Sequence, residues 1–121
     1  MIDLIGRPYR LGADGTDPDG ALDCIHLVFA VHERLGYWHV RRNPAWYDNN
    51  RVQMARDILA MWRRIDVPEY DGDVLMTAQP EVAFSVFWDQ GCLYINRYHK
   101  AVAWRPISGL QYNHCFRSRS V

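Results

Sequence analysis

Residues 23–36, Asp23-Cys24-Ile25-His26-Leu27-Val28-Phe29-Ala30-Val31-His32-Glu33-Arg34-Leu35-Gly36, constrain the fold of this chain more than any other stretch. A loop dense in Gly, Asp and Pro runs into them, and Gly36 closes them. Cys24, Val28, Val31 and Leu35 recur at steps of four, three and four, which puts them on one face of an amphipathic helix. The pattern predicts a helix over 24–35 with Cys24 in its first turn, facing inward. Free backbone N–H groups and the positive end of the helix dipole gather there, and both favour a thiolate. Two readings of Cys24 follow. It is either a small buried apolar residue, as cysteines commonly are, or a thiol that a polar loop delivers to a helix N-terminus.

Residues 1–5 predict a short helix or turn ending at Gly6. Arg7-Pro8-Tyr9-Arg10-Leu11-Gly12 predicts extended chain, because proline disfavours helix at Arg7. Residues 13–21, with Asp14-Gly15, Asp17-Pro18 and Asp19-Gly20, form a turn-rich loop. Beyond the Cys24 helix, 37–49 reads as irregular, with Trp38, Trp46 and Tyr47 packing over the core and Pro44 blocking helix. A second helix is expected over 50–64. Asn50 caps it, Gln53 takes the capping-box position, and Val52, Ala55, Leu59 and Trp62 make its apolar stripe.

The character changes after Asp66. Asp71-Gly72-Asp73 and Asp89-Gln90-Gly91 read as turns, and 74–77, 82–88, 92–96, 101–104 and 112–117 as strands. Helices followed by an antiparallel meander of about five strands is an α+β pattern. Residues 118–121 read as a frayed tail. With no internal repeat or linker, residues 1–121 are expected to form a single domain.

Lys+Arg and Asp+Glu both number 14, a balance that points to neither a nucleic-acid nor an anionic-membrane partner. Cys24, Cys92 and Cys115 form neither a CxxC nor an even set, so free thiols in a reducing compartment are expected over a disulfide framework. Cys24, His26, Cys92 and His114 lack metal-ligand spacing, and neither metal nor cofactor is expected. No apolar run reaches the ~18 residues of a membrane span, and the N-terminus is too short and acidic for a signal peptide. The five Trp residues read as core or interface material more readily than as a carbohydrate platform.

Three stretches carry a resemblance. Leu4-Ile5-Gly6-Arg7-Pro8-Tyr9-Arg10-Leu11-Gly12, the loop Asp17-Pro18-Asp19-Gly20, and Asp23-Cys24-x-x-Leu27-Val28 resemble the opening of the NlpC-type cell-wall peptidases. These are small papain-like cysteine peptidases, carried by many phage tail proteins. Gly72-Asp73-Val74-Leu75 is similar to the family's first core strand, and 91–96 to its central hairpin. The resemblance implies a papain-like fold and a hydrolase of γ-D-glutamyl bonds in peptidoglycan stem peptides. By position it implies Cys24 as nucleophile, Tyr9 at the oxyanion and Asn96 as the polar residue that orients a histidine base.

The base itself departs from the pattern. The family's second core strand reads broadly apolar-Ala-His-Val-Gly-Ile-Tyr, where this chain has Val82-Ala83-Phe84-Ser85-Val86-Phe87-Trp88. Phe84 stands in the histidine's place, and a phenyl ring cannot take a proton. Strand alternation groups Val82, Phe84 and Val86, so Phe84 is expected to face the Cys24 helix and close the slot. Ile25-His26 replaces a small Ser-Gly pair, and His26 is turned roughly 200° from Cys24 around the helix. No histidine lies between Asp66 and Tyr98. His99 or His114 reaches Cys24 only through a rearranged site, and His32 and His39 read as surface or packing residues. Without an imidazolium, Cys24 is expected to titrate far nearer a free thiol's value of about 8.5 than the ~3–4 of a His-paired cysteine, with the helix N-terminus lowering it somewhat.

Two functions are therefore expected. One is a degenerate, non-catalytic structural or interaction component of a phage tail tip or baseplate, with other virion or tail proteins as partners. The alternative is an active peptidoglycan endopeptidase acting on stem peptides through Cys24 and an unorthodox base. The corresponding locations are the phage virion or the bacterial cytoplasm.

Overall fold

The structure, a computed structural model, describes residues 1–48, 50–78, 81–108 and 111–121. The irregular stretch expected over 37–49 ends on Asn49, which lies outside the described residues. The first long element, α1, spans Cys24–Arg34. Asp23 caps it, its side chain accepting from the His26 N–H at 2.8 Å. At the other end Gly36 takes φ +75°. The Gly36 N–H then bonds the Glu33 carbonyl and the Tyr37 N–H the His32 carbonyl at 2.8 Å, a Schellman stop. Val28 and Val31 on the expected face are fully buried, while Cys24 and Leu35 at its ends are half-buried.

The second helix, α2, spans Arg51–Met61, shorter than expected. Asn50 caps it, accepting from the Gln53 N–H at 3.1 Å. The Gln53 amide reaches forward to Asp57 rather than back, so the capping box is half made. The expected stripe is overturned. Val52, Ala55 and Leu59 are exposed, and the inward face is Ile58 and Met61 with half-buried Met54. The cause is Trp62, which anchored the expected stripe but is not helical. Its φ of −129° and ψ of 148° begin a strand, β1, Trp62–Ile65.

The remaining strands are β2 Val74–Thr77, β3 Ala83–Trp88, β4 Gly91–Asn96, β5 Ala101–Pro106 and β6 His114–Ser118. Together they make an open antiparallel sheet in the order β1-β6-β2-β3-β4-β5. The class is α+β, with six strands in place of about five. The sixth is β1, whose Trp62 pairs with Ser118 and Ile65 with Cys115. That pairing also overturns the frayed tail. Ser118 is buried in β6, the Arg119 N–H bonds the Met61 carbonyl, and the Ser120 hydroxyl accepts from the Trp38 N–H at 2.8 Å.

The core lies between α1 and one face of the sheet, where Leu27, Val28 and Val31 meet Val74, Phe84, Val86, Leu93 and Trp62. Trp46 joins it, Tyr47 packs at its edge, and Trp38, also expected there, is exposed. On the opposite face Leu75, Phe87 and Cys92 are buried under Tyr94, Ile107 and Tyr112. Strand alternation in β3 thus divides Phe84 and Val86 from Phe87 as expected. Between β4 and its neighbour, a side chain at Gly91 would collide with the Arg105 carbonyl and the Trp104 ring.

The N-terminal segment folds back onto this scaffold. Ile2–Leu4 makes one 3-10 turn. The Tyr9 N–H bonds the Lys100 carbonyl at 2.7 Å, and the Leu22 N–H bonds the Pro8 carbonyl at 2.9 Å. Tyr9 is thereby held between the β4–β5 turn and the entry to α1.

Candidate functional site

An open cleft of about 800 Å³ lies beside the N-terminus of α1. Cys24 and Tyr9 line it, together with Phe84, Tyr47, Tyr94 and Ile95. β3 helps to open it. Its ladder to β4 covers only Val86–Trp88 against Gly91–Leu93, although β4 continues to pair with β5 as far as Asn96. The first half of β3, residues 83–85, therefore lies beyond the ladder to β4, and it lines the cleft together with Cys24.

The thiol is held in its neutral form. Burial pushes the Cys24 pKa up to about 11, and the neighbouring Asp23 carboxylate adds to the rise. The Phe84 backbone and the first amides of α1 pull the other way without overcoming it. The favourable helix terminus seen in the sequence is present, but desolvation is the larger effect. That value lies far nearer a free thiol than a His-paired one, as expected, but burial carries it above the free value where the helix terminus was expected to lower it.

Asp23 is the hub of the cleft wall. Oδ1 accepts from the His26 N–H and lies 2.7 Å from His26 Nδ1. Oδ2 accepts from the Gly12 N–H at 3.2 Å and from the Tyr47 hydroxyl. One buried carboxylate therefore ties together the turn-rich loop, the helix start and the chain that follows α1. Burial and the bond to Asp23 raise the Tyr47 pKa well above the usual phenol range. Burial raises Tyr9 too, with Cys24 and Asp23 adding to the shift.

No histidine lines the cleft among the described residues. His26 is buried and turned to Asp23. His32, read from the sequence as a surface or packing residue, is fully buried. His39 stacks on Phe29 at 4.1 Å and bonds Glu33 at 2.8 Å. His99 is exposed in the β4–β5 turn, and His114 sits beside Arg64 and Phe116. Asn96 is not a lining residue either. Its Oδ1 accepts from the N–H groups of Tyr98 and His99 at 2.9 and 3.1 Å, which stabilises the turn.

The structure thus brings together Cys24, Tyr9 and Phe84, and leaves Asn96 outside. Phe84 is buried with its ring edge-on to Trp62, centroids 6.0 Å apart. What sequence reasoning missed is the Asp23–Tyr47 link. Asp23 before a helix is a legible cap, but nothing local marks Tyr47, 24 residues on, as its partner. All three cysteines are free, and no three His, Cys, Asp or Glu side chains gather at a metal-binding distance among the described residues. No described helix is long and apolar enough to cross a membrane. The chain matches no protein-family model and has no significant match among curated proteins.

Proposed function

We propose that this chain is a papain-like domain of the NlpC type that has lost its catalytic base. In this reading it works as a non-catalytic structural or interaction component of a phage tail tip or baseplate, with other tail proteins as partners. The observation that carries the loss of catalysis is the cleft itself. Its thiol is held neutral at a pKa of about 11, Phe84 stands beside it, and its lining includes no imidazole among the described residues. A thiol attacks a carbonyl as thiolate, and at this pKa without a base too little thiolate forms for acylation. The NlpC assignment is supported by the order of elements: a turn-rich loop, a helix that starts at Cys24, then an antiparallel sheet. The tail context rests on the family resemblance.

A second reading, an active peptidoglycan endopeptidase, is favoured by one feature. The cleft is open, and Cys24 and Tyr9 both line it. The two readings separate in a single assay. Purified protein incubated with peptidoglycan sacculi is expected to release no soluble stem-peptide fragments. Release that disappears in Cys24→Ala would establish the peptidase instead. The tail assignment is tested separately, by the presence of the chain in purified, intact phage tails, and its absence there would remove that assignment.

A further inference from the structure

The far end of α1 carries a second buried polar device, remote from Cys24. His32 is fully buried. Its Nε2 lies 2.7 Å from the Gly72 carbonyl oxygen, so the ring carries its proton on Nε2 and donates it there. Nδ1 is buried with no hydrogen-bond partner among the described residues. The rings around it are Tyr37 at 5.5 Å and Trp62 at 5.8 Å, both edge-on. The indole Nε1–H of Trp62 also lacks a partner, and as a donor it cannot accept a proton from His32.

Gly72 is gripped from the same side. At φ +96° a Cβ there would lie 2.8 Å from Leu35 Cδ1 and 3.0 Å from Tyr37 Cε2. The turn before β2 is therefore pressed against the Schellman end of α1, and the His32 bond pins it. We propose that His32 is an acid-sensitive latch, a neutral imidazole that fastens the C-terminal end of α1 to the Gly72 turn and releases it when protonated.

Release comes from burial and not from the bond to Gly72, whose carbonyl accepts from Nε2–H in either form and by itself favours the charged ring. A second proton would sit on Nδ1, where no acceptor waits. From the chain after α1, His39 opposes a positive charge on His32 while stacked on Phe29, and Tyr37 offers only its ring. From the turn, Asp73 favours the charge but is held in a two-point pair with Arg117. β1 presents Trp62, which has no charge. Burial is the largest effect and lowers the His32 pKa from 6.5. The unfolded chain thus binds this proton more readily than the fold. Stability from His32 is complete above about pH 6.5 and is lost as pH falls through 6.5 toward the lower folded value.

The test is urea unfolding of the full chain at pH 7.5 and 5.0, for wild type, His32→Gln and His39→Gln. A glutamine at 32 keeps a donor for Gly72 but does not titrate. If His32 stays neutral in the fold, it alone lowers the folding constant by up to roughly thirtyfold at pH 5.0. His32→Gln is expected to lose that part of the pH dependence and His39→Gln to keep it. Amide protection at Gly72 and Tyr37, corrected for intrinsic exchange, is expected to fall before protection in the sheet. If His32→Gln does not fold, nitrogen NMR of the wild-type imidazole decides, with a neutral Nε2–H form persisting below pH 6.5. Protonation of His32 at or above 6.5 in the folded protein, an unchanged pH dependence in His32→Gln, or uniform loss of protection would each overturn the latch.

Discussion

Nδ1 of His26 lies 2.7 Å from Oδ1 of Asp23, so the histidine nearest Cys24 in the chain is bonded to the helix cap and not to the thiol. An ionised carboxylate only accepts, which makes Nδ1 the donor. The pair therefore strengthens the start of α1 where a peptidase would need a base. The chemistry of the cleft turns on this arrangement.

Loss of the cap is the first test of it. Asp23→Ala removes the helix cap and leaves the Tyr47 hydroxyl and the Gly12 N–H without their acceptor. The combined cost is expected at about 2–4 kcal/mol. Tyr47→Phe removes a single donor and is expected to cost about 1 kcal/mol. Urea unfolding of the two variants ranks them, and equal costs would show that Asp23 acts through Tyr47 alone.

Alkylation reports the thiol. Cys92 and Cys115 are buried, so iodoacetamide on the native protein reads Cys24 first. With a pKa of about 11, the rate is expected to climb tenfold per pH unit from 7 to 10. At pH 7.5 the thiolate fraction is then roughly three-hundredfold below that of a free cysteine of pKa about 8.5. A rate already at its plateau at pH 5 would reveal a cation or base beside the sulfur.

Phe84→His returns an imidazole to the position that the family resemblance assigns to it. The Cys24 pKa is expected to drop from about 11, because an imidazolium beside the sulfur favours the thiolate. Turnover on peptidoglycan is not expected to return, since Asn96 is occupied by the Tyr98 and His99 amides. Replacing a ring packed on Trp62 with a polar one is expected to cost about 2–4 kcal/mol. A pH-dependent alkylation profile of the variant measures the pKa.

The buried pair of Asp73 and Arg117 sets the acid limit of the sheet. The Arg117 Nε and Nη2 atoms donate to the two carboxylate oxygens at 2.9 and 2.8 Å. Burial alone would raise the Asp73 pKa, but Arg117 and the N–H groups of Glu69 and Tyr70 outweigh it and hold the carboxyl below 3.8. Its stabilisation is therefore present above about pH 3.8 and lost as pH falls through the lower folded value. Asp73→Ala strands a buried guanidinium and is expected to cost about 3–5 kcal/mol at pH 7. Unfolding curves from pH 7 to 2 check both, and an unchanged acid limb in the variant would contradict the assignment.

Features that neighbouring residues decide are legible along the chain. Asp23 and Gly36 bracket α1, Asn50 starts α2, and alternation in β3 puts Phe84 and Val86 on the core face. Each rests on a cap, a turn or a period-two pattern that a few adjacent residues complete. Contacts across long stretches of chain decided the rest. Trp62 continues the helical pattern of 50–61, yet it pairs with Ser118 and becomes β1, since cross-strand bonds and a fully buried indole outweigh a weak local propensity. The same pairing orders the C-terminal residues that read as frayed. His32 looks like any polar residue on a helix until Gly72, 40 residues on, closes over it. The sequence leaves Cys24 either a buried apolar residue or a thiol favoured by its helix terminus, and only burial in the folded chain makes desolvation the larger effect. Local hydrogen bonds and dipoles are visible along a chain, but the burial that sets their strength exists only once distant segments meet.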